Sequence, residues 1–371
     1  MKDVMICTVG TSLFGNLRAG GKEALWGLLE KGDSKDIASK LLSVDPDDRL
    51  CGAEINSNFS IFKNGVLKRR NSLYLLVSDT GQGRQTGDVL RHYYTNSKNP
   101  WRFEKVEVIE ILGLSHESAE RFRSEGLKNL VKKIAEVLRK EGKERVLINS
   151  TGGYKAQISF AGIIGQALGI PVYYMFEGFS SVIELPPQPV ALDPRFWLQN
   201  VELFYDLSES GVLEGCPVPD DERFHTLVEA VDVDGKTYYE LTALGLLFHE
   251  SHREQFKAKA SEYLPPKAGI PPGKKKIIYE DGNARKHRGL EAFLKRFRDL
   301  EFVKGIRTFY YNKDLPRKTY FKVATKNRPF EIESCYTDGK ATTKFALVTT
   351  AQTLLQARAA VADLKERFLE D

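Results

Sequence analysis

Short apolar runs alternating with amphipathic stretches fill the first 200 residues, and this alternation restricts the fold more than any other feature of the chain. DVMICTVG, SLYLLVSDT (72–80), FEKVEVIEILGL (103–114) and RVLINST (145–151) each read as a buried strand, and VYYMFEG (172–178) and SVIELP (181–186) as a late pair. Between them, ESAERFRSEGLKNLVKKIAEVLRKEG repeats its apolar residues at intervals of three and four, the period of a helix with one buried face. Strands that lack polar alternation need cover on both faces. The predicted class is therefore α/β, an open and mostly parallel sheet with helices on either side.

The rest of the chain reads differently. RFHTLVEA is a short helix, and VDVDGKTYYELT alternates with period two around Asp234-Gly235, a hairpin turn signal. LTALGLLFHESHREQF is a helix capped by Thr242. Helix, hairpin and helix over 201–263 is the order of a winged-helix module, although the acidity of this segment favours packing or dimerisation over binding to DNA. LPPKAGIPPGKKK (264–276) holds four prolines and two glycines and reads as a linker. Residues 277–371 then give a strand (KKIIYE), a helix (HRGLEAFLKRFRDLE), four strands (IRTFYYN, KTYFKVAT, PFEIESCYT, TKFALVTT) and a closing helix (AQTLLQARAAVADLKERFLE). About 95 residues of this kind suffice for a small α+β domain that folds alone.

Charge separates the same regions. Residues 274–371 carry 22 Lys and Arg against 13 Asp and Glu, whereas the preceding 273 residues carry 33 against 37. A basic C-terminal unit on a mildly acidic body points to a polyanionic partner. The four cysteines (Cys7, Cys51, Cys216, Cys335) form neither a C-x-x-C pair nor a disulfide frame, which fits a reducing compartment. No apolar run reaches the ~18 residues of a membrane helix, and MKDVMICTVG runs straight into a strand without a signal-peptide pattern. A cytoplasmic protein without a membrane partner is expected.

In open parallel sheets ligands bind beyond the carboxyl ends of the strands. Two such ends are rich in glycines and hydroxyls: CTVGTSLFGN and NSTGGYKAQISFAGIIGQALG. Each leads into a helix, where free N–H groups and the helix dipole favour an anion, and Lys155 in the first helical turn suits a phosphate better than it suits the helix. Neither stretch fits G-x-x-x-x-G-K-[ST] or G-x-G-x-x-G, so an ordinary nucleotide-hydrolase or dinucleotide site is not supported.

Taken together, TVGTSL, LLVSDTGQG and NSTGGYKA resemble the CARF domain, the Rossmann-like sensor of CRISPR-associated effectors, over roughly residues 1–200, and are similar in particular to its ring-nuclease-like branch. The resemblance implies a homodimer that binds a cyclic oligoadenylate, with cyclic tetra-adenylate suiting a two-fold site. Carried over by position, it implies ligand contacts from Thr8, Gly10, Thr11 and Ser12, from Ser150, Thr151, Gly152, Gly153 and Lys155, and from Asp79, Thr80 and Gln82 toward an adenine. It also implies slow cleavage of the bound ring, with Ser12 and Lys155 most involved.

The C-terminal unit lacks the R-x4–6-H pair of a HEPN ribonuclease and the E-x-K strand of a PD-(D/E)xK nuclease. His249-x-x-His252 has no third ligand and reads as a surface pair, so no metal is expected. Element order, size and charge resemble a RelE-type mRNA interferase, which cuts ribosome-bound messenger RNA without a metal. That resemblance implies catalytic roles for Arg307, Arg317, Lys318, Tyr320, Lys322 and Arg328, with His287 as an extra acid or base. Strand alternation would put Lys318, Tyr320 and Lys322 on one face. The closing helix is longer than usual for that family, and a terminal catalytic tyrosine is missing. The expected protein is a CARF–RelE fusion activated by the ring. The alternatives are a stand-alone ring nuclease and a ligand-responsive winged-helix transcription regulator.

Overall fold

The computed structural model describes residues 2–19, 27, 30–176, 181–185, 194–216, 218–324 and 330–369. It divides into two compact units. The first comprises Met1–Leu192, Glu222–Glu229 and Thr242–Ser251, and the second comprises Asp193–Asp221, Ala230–Leu241 and His252–Asp371.

In the first unit, strands β1 (Val4–Thr8), β2 (Ser72–Ser78), β3 (Lys105–Ile111), β4 (Val146–Asn149), β5 (Val172–Tyr174) and β6 (Ile183–Glu184) form one sheet in the order β3-β2-β1-β4-β5-β6. All neighbouring pairs are parallel except β5–β6. Every residue of β1, β2 and β4 is buried, as their unbroken apolar character requires. Helices α1 (Ser12–Ala19), α2 (Ser34–Leu41), α3 (Gly52–Lys63), α4 (Gly81–Thr95), α5 (Leu127–Glu141) and α6 (Lys155–Leu168) accompany the sheet. Met5, Cys7, Leu73, Leu75 and Val77 point toward Leu13, Leu17, Ile37, Ile55, Ile61, Val89 and Leu90 in one continuous core. This is the Rossmann-like arrangement read from the sequence.

The second unit contains helices α7 (Pro194–Gln199) and α8 (Val201–Ser210) and a five-stranded sheet in the order β10-β11-β14-β13-β12. Its strands are β10 (Ile277–Tyr279), β11 (Val303–Asn312), β12 (Phe321–Val323), β13 (Ile332–Thr337) and β14 (Thr342–Thr349). Helices α10 (Leu290–Arg296) and α11 (Leu354–Phe368) bring Phe297 and Phe368 onto Phe345 and Phe321, with ring centroids 4.6–6.2 Å apart. Arg253 donates to Glu366 at 2.5 and 3.0 Å and Lys257 lies 2.8 Å from it, a buried charge cluster that also receives the Tyr205 hydroxyl.

Between residues 213 and 263 the chain forms β7 (Leu213–Glu214), the hairpin β8 (Val228–Val233) and β9 (Lys236–Leu241), and helix α9 (Ala243–Tyr263). Asp234 and Gly235 both have positive φ, 51° and 75°, as a tight two-residue hairpin turn demands. The Thr242 hydroxyl accepts from the Gly245 N–H at 3.0 Å and so caps α9.

Two expectations need correction, and a third falls outside what the structure describes. His249 and His252 are buried, at 0% and 1% exposure, and are not a surface pair. KTYFKVAT supplies a strand only from Phe321 to Val323, so Lys318 and Tyr320 lie before the strand and not along it. Arg328 lies outside the described residues.

Candidate ligand site at the carboxyl ends of the strands

The loops after β1 and β4 are adjacent because those strands pair directly. They are locked together. The Thr8 hydroxyl donates to the Gly152 carbonyl at 2.5 Å, and both residues are buried. A Cβ on Gly10 would stand 2.6 Å from the Gly153 nitrogen, and one on Gly152 would stand 1.9 Å from Glu54 Oε1, so side chains are excluded by contact. Gly153 also has φ 114°, a region that L side chains avoid.

Glu54, on the first turn of α3, is the residue around which the loops close, and sequence reasoning missed it. It is 1% exposed. Its Oε1 accepts the Gly10 N–H at 2.6 Å, and its Oε2 accepts the Ser12 hydroxyl at 3.5 Å. Burial raises its pKa, while the bonds from Gly10 and Ser12 pull the other way. One N–H assigned to the ligand is thus already held by protein. Its distance in sequence from TVGTSL hid this, and its helix, GAEINSNF, mixes polar and apolar residues on the buried face and so gave no clear signal.

The other assigned residues fall into two groups. Thr8 and Ser150 are fully buried, and the Ser150 N–H donates to the Tyr173 carbonyl at 2.8 Å. These two brace the loops. Thr151 bridges Asn149 Oδ1, at 2.7 Å, and the Met175 N–H, at 3.1 Å. Asn149 is held in turn by Ser57 and Asn58. Thr80 caps α4 by accepting the Gly83 N–H at 3.0 Å. Asp79 accepts the Gly113 N–H at 2.8 Å and lies 3.8 Å from Arg121. Thr11, Gln82 and Lys155 are exposed, and Ser12, Thr151 and Gly153 are half-buried. Lys155 is the first residue of α6, and the neighbouring Tyr154 hydroxyl lies 3.3 Å from His116 Nδ1. A cavity of about 270 Å³ opens beside the loops, with Ser12, Asn16, Asp47, Arg49, Asn56, Thr151 and Met175 in its lining. It brings Ser12 and Thr151 to one space and adds Arg49, an exposed cation that no sequence argument had selected.

In the second unit the proposed nuclease residues divide between two faces of the sheet. Register aligns Arg307, Ala346, Glu333 and Lys322 in one row, and Tyr310, Lys344 and Cys335 in the next on the same face. Phe345, one residue along β14, turns to the opposite face, where Phe297 packs. His287 belongs there too. It is 5% exposed, bonded to Thr343 Oγ1 at 2.8 Å and 3.5 Å from Asp338. Arg307 on the open face is already neutralised, with Glu331 at 2.7 Å and Glu280 at 3.2 Å. Lys322 lies 3.8 Å from Glu333. Tyr320 is pushed up to about 12 by burial and by nearby Cys335 and Glu333, so its hydroxyl stays protonated at neutral pH. Arg317 and Lys318 are exposed, and Lys344, not selected from sequence, stands 5.3 Å from the Tyr310 ring.

Among the described residues no group of three or more His, Cys, Asp or Glu side chains could hold a metal, and no helix is long and apolar enough to cross a membrane. Residues 49–188 match the family model described as CRISPR-associated protein (Cas_APE2256). Among solved structures, the chain is similar to Can2 from Sulfobacillus thermosulfidooxidans in complex with cyclic tetra-adenylate, at 9% identity and a TM-score of 0.25. The match covers 70% of this chain and spans 64% of that one.

Proposed function

We propose that this protein is a cytoplasmic, homodimeric CRISPR ancillary effector that binds cyclic tetra-adenylate through the first unit and cleaves RNA with the second. The observation that carries the reading is the pair of interlocked glycine loops at the carboxyl ends of β1 and β4, with Ser12, Thr151 and Arg49 lining one cavity and Thr11, Gly153 and Lys155 carried on the same two loops and helix starts. Backbone groups that approach this closely suit a sugar-phosphate ring, and the two cations suit its charge. The match of residues 49–188 to a CRISPR-associated family supports the same reading. A circular ligand of even order fits a two-fold site, and two copies of the loops would enclose it.

For the second unit we propose metal-independent cleavage of ribosome-bound messenger RNA, as in RelE-type interferases, on the open face of the five-stranded sheet. Arg317, Lys318, Lys322 and Lys344 would hold phosphates, Tyr310 would stack a base, and Tyr320 would donate to the leaving oxygen. Arg307 then serves to order the sheet, and His287 acts from the far face only as a structural support. Ring binding would favour the protomer pose in which this face is open to RNA.

The reading is tested by incubating translating ribosomes with the protein, with and without cyclic tetra-adenylate. Messenger RNA cut only with the ring, and lost in Lys318→Ala/Lys344→Ala, supports it. Equal RNA recovery in all arms contradicts it. A second activity, slow cleavage of the ring, is suggested by the Ser12 hydroxyl facing the cavity with Glu54 behind it. Chromatography of the ring after incubation with wild type and Lys155→Ala decides that point; unchanged ring in both removes it.

A further inference from the structure

A second cleft of the first unit lies at the other end of the sheet. It measures about 820 Å³ and is lined by the segments that precede β1, β2, β3 and β4. Strands of five to seven residues separate it from the glycine loops by about 20 Å. Parallel α/β sheets use the carboxyl ends of their strands for ligands, so a large polar cleft at the amino ends is not accounted for by the first site.

Five cations line it: Arg69, Arg70, Lys98, Arg102 and Arg145. Only two acids oppose them, and both are already partnered. Asp3 is held by Arg145 at 2.9 and 3.0 Å, and Glu104 accepts the correctly oriented Asn71 amide at 2.9 Å. Arg70 has no carboxylate partner among the described residues. Its guanidinium lies over Trp101 and Phe62, 5.5 and 5.6 Å from the ring centroids, and its Nε is buried without a hydrogen-bond acceptor. A buried guanidinium N–H left open is costly unless something fills it. The rim is also fixed in place. Asp3 N–H donates to Arg145, Asn71 N–H to Asp3, and Glu104 N–H to Arg70, at 2.9–3.1 Å, so Arg70 and Arg145 are mounted at strand starts, while Lys98 and Arg102 belong to the hydrogen-bonded turn that leads into β3.

We infer that this cleft is a second binding site, for the phosphates of a nucleotide or an RNA strand. Arg69, Arg70, Lys98 and Arg102 are the cations available to it. Guanidinium groups match phosphate oxygens two at a time, and the Trp101 and Phe62 rings behind Arg70 hold its guanidinium in place. The ligand is distinct from the one read for the glycine loops, and this inference stands if that reading fails.

The test is fluorescence titration of the full chain with a labelled, 5′-phosphorylated single-stranded RNA, and competition by ADP. Two proteins are compared in a Lys318→Ala/Lys344→Ala background, which weakens the RNA contacts read for the second unit: this parent, and the parent with Arg69→Glu/Arg102→Glu, each checked for fold by circular dichroism. The parent is expected to bind with log K falling against log salt with a slope of about −3 if four phosphates are neutralised. The added Arg69→Glu/Arg102→Glu is expected to weaken binding at least tenfold with a shallower slope. ADP that displaces the RNA identifies a nucleotide site; RNA that ADP does not displace identifies a strand site. No binding by the parent, or binding that survives the added substitutions, overturns the inference.

Discussion

Replacing Gly152 by alanine should disorganise the glycine loops through Glu54. The added Cβ would lie 1.9 Å from Glu54 Oε1 and 2.9 Å from the Thr8 carbonyl. The carboxylate must therefore leave, and it leaves the Gly10 N–H that it holds at 2.6 Å. A lost charge-assisted bond that leaves its half-buried donor without an acceptor costs about 2 kcal/mol, and residual crowding against Thr8 adds about 1 kcal/mol. Glu54→Ala alone should cost about 1–3 kcal/mol, because the same N–H is orphaned. The two effects share one cause. The double variant Gly152→Ala/Glu54→Ala should therefore be less destabilised than the sum of the singles, by at least about 1 kcal/mol. Urea unfolding, followed by circular dichroism at constant m, measures all three. Strict additivity, or a Gly152→Ala protein as stable as wild type, would refute the placement of Glu54 against this glycine.

Three further outcomes follow from the same structure. Burial holds the Glu54 carboxyl above its unfolded value, so its contribution to stability is present at low pH and lost as pH rises through the raised folded value; the stability of Glu54→Gln relative to wild type should increase from about pH 4.5 upward, and a flat difference would argue against a buried, titrating carboxylate. Glu366 behaves in the opposite sense. Burial alone would raise it, but hydrogen bonds from Arg253, Lys257 and Tyr205 hold it at about 2, so the folded state gains stability above about pH 4.5 that disappears as pH falls toward the folded value. The shift corresponds to about 3 kcal/mol, and Glu366→Gln should remove most of the acid sensitivity of the second unit, read from the tyrosine and tryptophan signals during acid titration. Thr343→Val should lower thermal stability by orphaning His287 Nδ1, while leaving RNA cleavage per folded molecule unchanged, since His287 lies on the face opposite the cations; a selective loss of cleavage would return His287 to the active face.

Much of the first unit was legible because its physics is local. Unbroken apolar strands must be buried on both faces, and TVGTS and STGGYK must end them in turns that only glycine permits. What the sequence could not reveal was which polar groups the loops use on each other. Thr8 and Ser150 look like ligand hydroxyls in the sequence, yet a strand end buried by its neighbours must satisfy its own polar atoms first. Glu54 and Arg49 come from a helix start some 40 residues away, and only the pairing of β1 with β4 and the packing of α3 bring them to the loops. In the second unit the basic composition was plain, but composition does not assign faces. Arg307 is spent on Glu331 and Glu280, Lys344 faces outward from a strand that reads as core, and the segment before β12 forms no regular element.

The central claim is that the loops after β1 and β4 bind a cyclic adenylate between two copies of the chain. Isothermal titration of the purified protein with cyclic tetra-adenylate tests it most directly. The account predicts a saturable heat with one ring per two chains, weakened at least tenfold by Lys155→Ala. Absence of heat, or a stoichiometry and affinity indifferent to Lys155, would contradict it.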